Sequence, residues 1–143
     1  MKNVSELLKK RAQSDIYSVA PDTTVYEAIV MLADLSIGAV MVMDGDKLVG
    51  IFSERDYTRK IALSGKNSRE TKVAEIMTAP VLYVTPKHRT RECMALMSEK
   101  NFRHLPVLEG NKVVGMISIR DLMNDIIADH EFTIAQLESY INS

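Results

Sequence analysis

The spacing of apolar residues predicts a regular alternation of helices and strands. Helical spacing places Val4, Leu7 and Leu8 on one face, and the same spacing recurs over 25–35. Two apolar runs of strand length, 38–43 and 48–52, flank Asp44-Gly45-Asp46, a sequence typical of a hairpin turn. With a short strand at 16–19 and a helix after residue 56, the first half is predicted to run helix–strand–helix–strand–strand–helix.

The second half of the chain repeats the first. Twelve residues between Val19 and Ile61 recur identically 65 positions later, and the leading helix recurs at an offset of 69. We predict repeats at 4–63 and 73–127, a linker at 64–72 and a helical tail at 128–143. Because a unit of about 60 residues buries little surface alone, we expect a mixed α/β (α+β) fold. In it, two pseudo-twofold-related β-α-β-β-α repeats pack their small mixed sheets together, with flanking helices.

The longest shared motif runs from Gly50 to Asp56 and returns from Gly115 to Asp121. A serine three residues before an acid, between a strand and a helix, is typical of a capping box. The same residues also suit a phosphorylated ligand. A helix N-terminus attracts phosphate, arginine offers a forked donor, and an ionised aspartate accepts hydrogen bonds from ribose hydroxyls. The sequence leaves both interpretations open.

Composition narrows the classes of function. A net charge of −1 gives no broad electrostatic case for binding nucleic acid or an acidic membrane. The single cysteine excludes an internal disulfide, and no Cys/His cluster has zinc spacing. The longest apolar run, 37–43, is too short to span a bilayer, and the N-terminus lacks the apolar core of a signal peptide. We therefore expect a cytoplasmic protein with neither a nucleic-acid nor a membrane partner.

Three sets of residues together resemble a known family. They are Val-x-Pro at 19–21 and 84–86, the run Arg103-His104-Leu105-Pro106-Val107, and the doubled motif Gly-h-h-Ser-x-x-Asp, in which h is apolar. In this order they resemble a tandem pair of cystathionine-β-synthase-type (CBS) domains, or Bateman module, over residues 4–127. The resemblance extends to the stand-alone bacterial type, because the tail from Ala128 to Leu137 also matches it.

This resemblance implies a non-catalytic regulatory sensor that changes conformation when it binds AMP, ADP or ATP, or else NAD or S-adenosylmethionine, without a catalytic cofactor. One implied pocket contains Ile51, Ser53, Arg55, Asp56, Ala79, Pro80 and Val81. The other contains Met116, Ser118, Arg120, Asp121, Asp15, Ile16 and Tyr17, with Arg103 and His104 reaching phosphate. Gly38 and Ala39 replace that basic pair in the first repeat, so the two pockets are not expected to be equivalent.

The resemblance also implies a twofold-symmetric homodimer that acts on an unknown downstream protein. The apolar residues expected at the dimer interface are Ile61, Leu63, Leu122, Met123, Ile126 and Ile127, together with the tail. Two other functions remain open. One is a structural dimerisation module with degenerate pockets. The other, a nucleotide hydrolase, lacks a Gly-Lys-Ser/Thr phosphate loop and a metal-binding carboxylate cluster in the sequence.

Overall fold

A computed structural model describes residues 2–10 and 16–142. The helices are α1 Val4–Lys10, α2 Val25–Leu35, α3 Glu54–Tyr57, α4 Val73–Ile76, α5 Thr90–Lys100 and α6 Ile119–Ile141. A π-helical turn, Thr58–Ala62, follows α3. The strands are β1 Ser18–Val19, β2 Ala39–Asp44, β3 Lys47–Ser53, β4 His104–Glu109 and β5 Lys112–Ser118. The chain forms two compact units: 16–82, and 83–142 with the N-terminal residues 2–10.

The unit 16–82 contains a three-stranded mixed sheet in the order β1-β2-β3. β1 is parallel to β2, and β2 forms the predicted antiparallel hairpin with β3. Gly45 supplies the positive φ of 62° that this turn requires. The apolar face of α2 lies against the sheet, and the fully buried side chains of this core include Val25, Ala28, Leu32, Val40, Val42 and Phe52. The mixed α/β fold class is therefore confirmed.

In the other unit, the strand expected before α5 is reduced to one parallel bridge, Val84 to Val107. Val84 donates to the carbonyl of Pro106 at 3.0 Å and accepts from Leu108 at 2.9 Å. Extending the ladder by one step requires an N–H donor at position 106, and proline has none. The first repeat has Met41 at the matching position, within the ladder between β1 and β2. The two-stranded sheet β4-β5 is the result.

Each leading helix packs against the body of the other repeat. In unit 16–82, the start of α4 donates backbone hydrogen bonds from Val73 to Thr23 (2.8 Å) and from Ala74 to Pro21 (3.0 Å). In the other unit, α1 makes the matching bonds from Val4 to His88 (2.8 Å) and from Ser5 to Pro86 (3.0 Å). The compact units therefore cross the sequence repeats, because each contains the leading helix of the opposite repeat.

The helices after the two motifs differ in length. The first consists of α3 and its π-helical turn, whereas α6 continues without a break from the motif through the predicted tail. Two residues expected at a dimer interface are instead buried in their own units: Ile61 is 2% exposed and Leu122 is 0% exposed. That part of the prediction is wrong, because both side chains lie on the core-facing side of their helices. Leu63, Met123 and Ile127 are exposed.

Candidate ligand sites at the two repeated motifs

The glycine that opens each motif lies directly beneath a leading helix. A Cβ atom at Gly50 would overlap the Sδ atom of Met77, and one at Gly115 would lie 2.9 Å from a methyl group of Leu8. These contacts are closer than ordinary van der Waals packing permits. Glycine is therefore required at both positions for a steric reason. Its lack of a side chain lets α4 and α1 approach the strands that lead into the motifs.

Both motifs form the capping boxes that their sequences predict. In the first, the backbone N–H of Asp56 donates to Ser53 Oγ at 3.2 Å, and Ser53 N–H donates to Asp56 Oδ2 at 2.9 Å. In the second, Asp121 N–H donates to Ser118 Oγ at 3.3 Å, and Ser118 N–H donates to Asp121 Oδ2 at 2.7 Å. Capping is thus a real role of these four residues, and it leaves their role towards a ligand as a prediction.

The carboxylate of Asp56 is enclosed by partners from its own unit. Its Oδ2 atom also accepts from the Ser53 hydroxyl at 3.0 Å. Its Oδ1 atom accepts from Thr78 Oγ1 at 3.1 Å and lies 3.0 Å from Lys60 Nζ. Asp56 is 8% exposed, so its main lone-pair directions are used within the protein. A ribose hydroxyl would have to displace Lys60 or Thr78 to reach it.

The segment after α4 begins beside the first motif. Ile51 and Thr78 exchange two backbone hydrogen bonds of 3.1 and 2.8 Å. This bridge places Ala79, Pro80 and Val81 immediately after a residue that is paired with β3. Arg55 is half-buried on α3. The structure therefore brings the predicted residues of the first pocket into one unit.

Lys60 and Thr78 are not among the site residues that the sequence predicts. Lys60 was detectable in principle, because it lies four residues after Asp56 on the same helical face and pairs with it there. It also donates to the carbonyl oxygen of Ile76 at 2.9 Å. Thr78 carried no sequence signal, since its contact with Asp56 depends on α4 packing against the first motif.

Arg103 and His104 lie next to the second motif. The N–H of Ile119, the first residue of α6, donates to the carbonyl oxygen of Arg103 at 2.8 Å. His104 is the cross-strand partner of Ser118. Burial lowers the pKa of His104 below its ordinary value of 6.5, although the negative charge of Asp121 opposes this shift. The imidazole therefore lies within electrostatic range of the motif aspartate.

In the unit 16–82, the two positions equivalent to Arg103 and His104 have no basic side chain. The N–H of Glu54 donates to the carbonyl oxygen of Gly38 at 3.1 Å, and Ala39 is the cross-strand partner of Ser53. Gly38 and Ala39 thus occupy the positions that Arg103 and His104 occupy in the second unit. This supports the expectation that the two motifs differ electrostatically.

The remaining predicted residues of the second pocket are divided between the units. Met116, Ser118, Arg120 and Asp121 lie on β5 and at the start of α6. Ile16 and Tyr17 belong to the unit 16–82, where Tyr17 packs against the core. Asp15 lies outside the described residues. The joining of these residues into one pocket therefore stays a prediction.

Two further kinds of chemistry, a reactive thiol and a metal site, find no support among the described residues. Burial raises the pKa of Cys93 to about 11, which makes its thiol a poor nucleophile at neutral pH. Within residues 2–10 and 16–142, the His, Cys, Asp and Glu side chains form no group of three or more that could hold a metal ion. None of the helices described combines the length and apolar character needed to cross a membrane.

A duplicated α/β unit with a capped Gly-h-h-Ser-x-x-Asp motif in each copy defines the class of this protein. The sequence model of the CBS domain matches the chain twice, at residues 4–63 and 73–128. The chain therefore belongs to the CBS-domain family and is a tandem pair, which is a regulatory module. The resemblance inferred from the sequence is confirmed.

The similarity to known proteins extends over nearly the whole chain. The mitochondrial CBS domain-containing protein CBSX3 of Arabidopsis thaliana is 34% identical to this chain over an alignment 146 positions long. The alignment covers 96% of this chain and 71% of that protein. A solved protein with CBS domains from Burkholderia ambifaria MC40-6 is 49% identical with a TM-score of 0.87, covering 90% of this chain and 96% of that one.

A more distant structure shares the fold alone. The CBS domain pair of protein MJ0100 is 22% identical with a TM-score of 0.77, and the match covers 90% of this chain and 98% of that one. It was solved in complex with 5′-methylthioadenosine and S-adenosyl-L-methionine.

Proposed function

We propose that this protein is a non-catalytic sensor of adenosine compounds, and that AMP, ADP or ATP, or else NAD or S-adenosylmethionine, binds at its repeated motifs. The observation that carries this proposal is the convergence of His104, Ser118 and Asp121 at the start of α6. A helix N-terminus, a hydroxyl, an imidazole and a carboxylate are the groups that a phosphorylated ribose needs. The two adenosine compounds bound to MJ0100 support the same ligand class.

Each residue has a distinct role in this proposal. Asp121 accepts hydrogen bonds from the ribose hydroxyls, because an ionised carboxylate is an acceptor only. Ser118 and the first N–H groups of α6 bind phosphate, with positive charge supplied by Arg103 and Arg120. Met116 contacts the adenine ring on one side. The family resemblance also predicts ligand contacts for Asp15, Ile16 and Tyr17.

The first motif is proposed to bind more weakly. Ile51, Ser53, Arg55 and Asp56 would contact the ligand together with Ala79, Pro80 and Val81. At this site, however, Lys60 and Thr78 already occupy Oδ1 of Asp56, and Gly38 and Ala39 supply no charge for phosphate. A ligand therefore has to replace protein contacts here, which subtracts from its binding free energy.

Binding is proposed to change the conformation of the module and its affinity for a downstream protein. The repeats 4–63 and 73–127 act as one module, and two copies associate as a homodimer. A ligand can shift such an equilibrium only by as much as its affinities for the two states differ.

Calorimetric titration with AMP, ATP, NAD and S-adenosylmethionine tests the proposal, with GMP as the control nucleotide. Asp121→Asn should weaken binding of the best adenosine ligand at least tenfold, because a charge-assisted hydrogen bond contributes roughly 1.5–3 kcal/mol. Asp56→Asn should have the smaller effect. Glu54→Gln is the matched control, since Glu54 is an exposed acid of the same motif. If no adenosine compound binds at millimolar concentration, the sensor function is wrong.

A structural dimerisation module is the second candidate, and the complete capping boxes favour it, because they explain Ser53, Asp56, Ser118 and Asp121 without a ligand. The melting midpoints of the two Asn variants separate the candidates. Unchanged ligand binding with lowered stability supports capping alone, whereas weakened binding at near-normal stability supports the sensor. Turnover of ATP with Mg²⁺ at an ordinary enzymatic rate would contradict both.

A further inference from the structure

The second half of α6 makes little contact with the rest of the chain. Asp125 is the last buried residue of this helix, and all residues from 130 to 142 are exposed. Five large apolar side chains in this segment are more than half exposed: Phe132, Ile134, Leu137, Tyr140 and Ile141. A helix of about 12 residues without tertiary support is marginal in water. The segment therefore needs a partner to remain helical.

Five apolar residues of α6, with His130 among them, follow a heptad pattern. From Met123 to Ile141 the spacing alternates between four and three residues. The a positions are Ile127, Ile134 and Ile141, and the d positions are Met123, His130 and Leu137. The buried residues Leu122 and Asp125 fall at positions c and f, on the other side of the helix. The seam is thus separate from the face that packs against the helix's own unit.

The residue types on this seam identify the occupant. Isoleucine at all three a positions favours a parallel two-stranded coiled coil, which a second copy of the same helix completes, and Leu137 is the preferred residue at its d position. A membrane surface fits poorly, because no lysine or arginine follows Arg120 while Asp129, Glu131 and Glu138 are acidic. The seam is therefore complementary to itself.

We propose that residues 123–141 of α6 form a parallel, in-register coiled coil with the same segment of a second copy. His130 then faces His130 of the second copy and fixes the register, because a shift of one heptad would place it opposite Met123 or Leu137. This inference rests on the proposed homodimer and does not depend on the ligand.

Sedimentation equilibrium of the full chain tests the seam. Ile134→Ala and Leu137→Ala should each raise the dimer dissociation constant at least about tenfold. Phe132→Ala is the matched control, because Phe132 is 65% exposed but lies at position f. If Phe132→Ala weakens the dimer as much as Ile134→Ala does, the dimer is held by a general apolar patch and the proposed seam is wrong. A dimer that neither seam variant changes overturns the inference and leaves the homodimer itself standing.

Two further variants test the register and the orientation. His130→Leu should tighten the dimer, because it replaces a polar seam residue with the residue preferred at d. Ile141→Cys should form an intermolecular disulfide rapidly on oxidation, while the native Cys93 is buried. In an antiparallel pair centred on Ile134, the two residues 141 would lie about 21 Å apart, too far for a disulfide. Absence of the disulfide, a weaker dimer for His130→Leu, or a monomeric wild-type chain at about 100 µM, where a complex with a micromolar dissociation constant is assembled, would each overturn the proposed pairing.

Discussion

Lys60 Nζ lies 3.0 Å from Oδ1 of Asp56, one helical turn earlier in the chain. The matching position of the second repeat, 65 residues later, is Asp125, four residues after Asp121. The two motifs therefore carry opposite charges at equivalent positions. Near Asp56 the added charge is attractive, and near Asp121 it is repulsive.

Replacing Lys60 with methionine should affect stability and ligand binding in opposite directions. The pair is partly exposed, so Lys60→Met is expected to cost about 0.5–1 kcal/mol, which lowers the melting midpoint by roughly 1–4 °C. It also removes one of the two contacts of Asp56 Oδ1, leaving that of Thr78, so AMP binding at the first motif should strengthen. Arg59→Met is the control, because Arg59 is the exposed, positively charged residue immediately before Lys60. Equal effects of both changes in calorimetry would show that Lys60 does not occlude Asp56.

A methyl group at Gly50 should destabilise the protein because it collides with Met77. Gly50→Ala is expected to cost about 1–3 kcal/mol through overpacking. Met77→Ala removes the colliding side chain, so the double variant should be more stable than the sum of the single effects predicts. Urea denaturation of the four proteins gives this coupling. Strict additivity would mean that the glycine is required for another reason.

The pKa of His104 makes stability depend on pH. Because burial lowers this pKa below 6.5, the unfolded chain binds a proton more readily than the folded protein does. Stability from this group is therefore fully present above pH 6.5 and is lost as the pH falls through the lowered pKa. His104→Asn should flatten the decline of the melting midpoint as the pH falls below 6.5. An unchanged slope would assign the decline to other groups.

Asp125 is buried at a cost to stability. It is 4% exposed, Lys2 Nζ lies 3.6 Å from its Oδ1 atom, and neither carboxylate oxygen has a hydrogen-bond partner among the described residues. Asp125→Leu should be neutral or stabilising, because a buried ion pair seldom recovers its desolvation cost. Lys2→Met should cost roughly 1–2 kcal/mol, less than a fully buried pair, since Lys2 is partly exposed. Thermal melts of both variants decide this, and marked destabilisation by Asp125→Leu would contradict it.

The hairpin turn and the helix caps could be predicted from the sequence, because each depends on interactions between residues that are close together in the chain. The hairpin at Gly45 and the capping boxes at Ser53 and Ser118 depend on residues within a few positions of one another. The shortening of the strand near Val84 was also present in the sequence, as Pro106, but its effect appears only once the pairing partner is known.

The exchange of leading helices could not be predicted in the same way. Leu8 and Met77 match one another in the repeat, so the sequence does not distinguish packing against Gly50 from packing against Gly115. The contact from Thr78 to Asp56 follows from that exchange and was missed with it. The burial of Ile61 and Leu122 was missed for a related reason: helical spacing marks an apolar face but does not say which neighbour covers it.

The exchange also has a consequence for the origin of the chain. A single repeat such as 4–63 lacks the helix that covers its own Gly50, because α4 supplies that cover from beyond residue 63. An ancestral chain with one repeat would have needed the leading helix of a second molecule to cover this glycine. Gene duplication and fusion would then have turned a swap between two molecules into a swap within one.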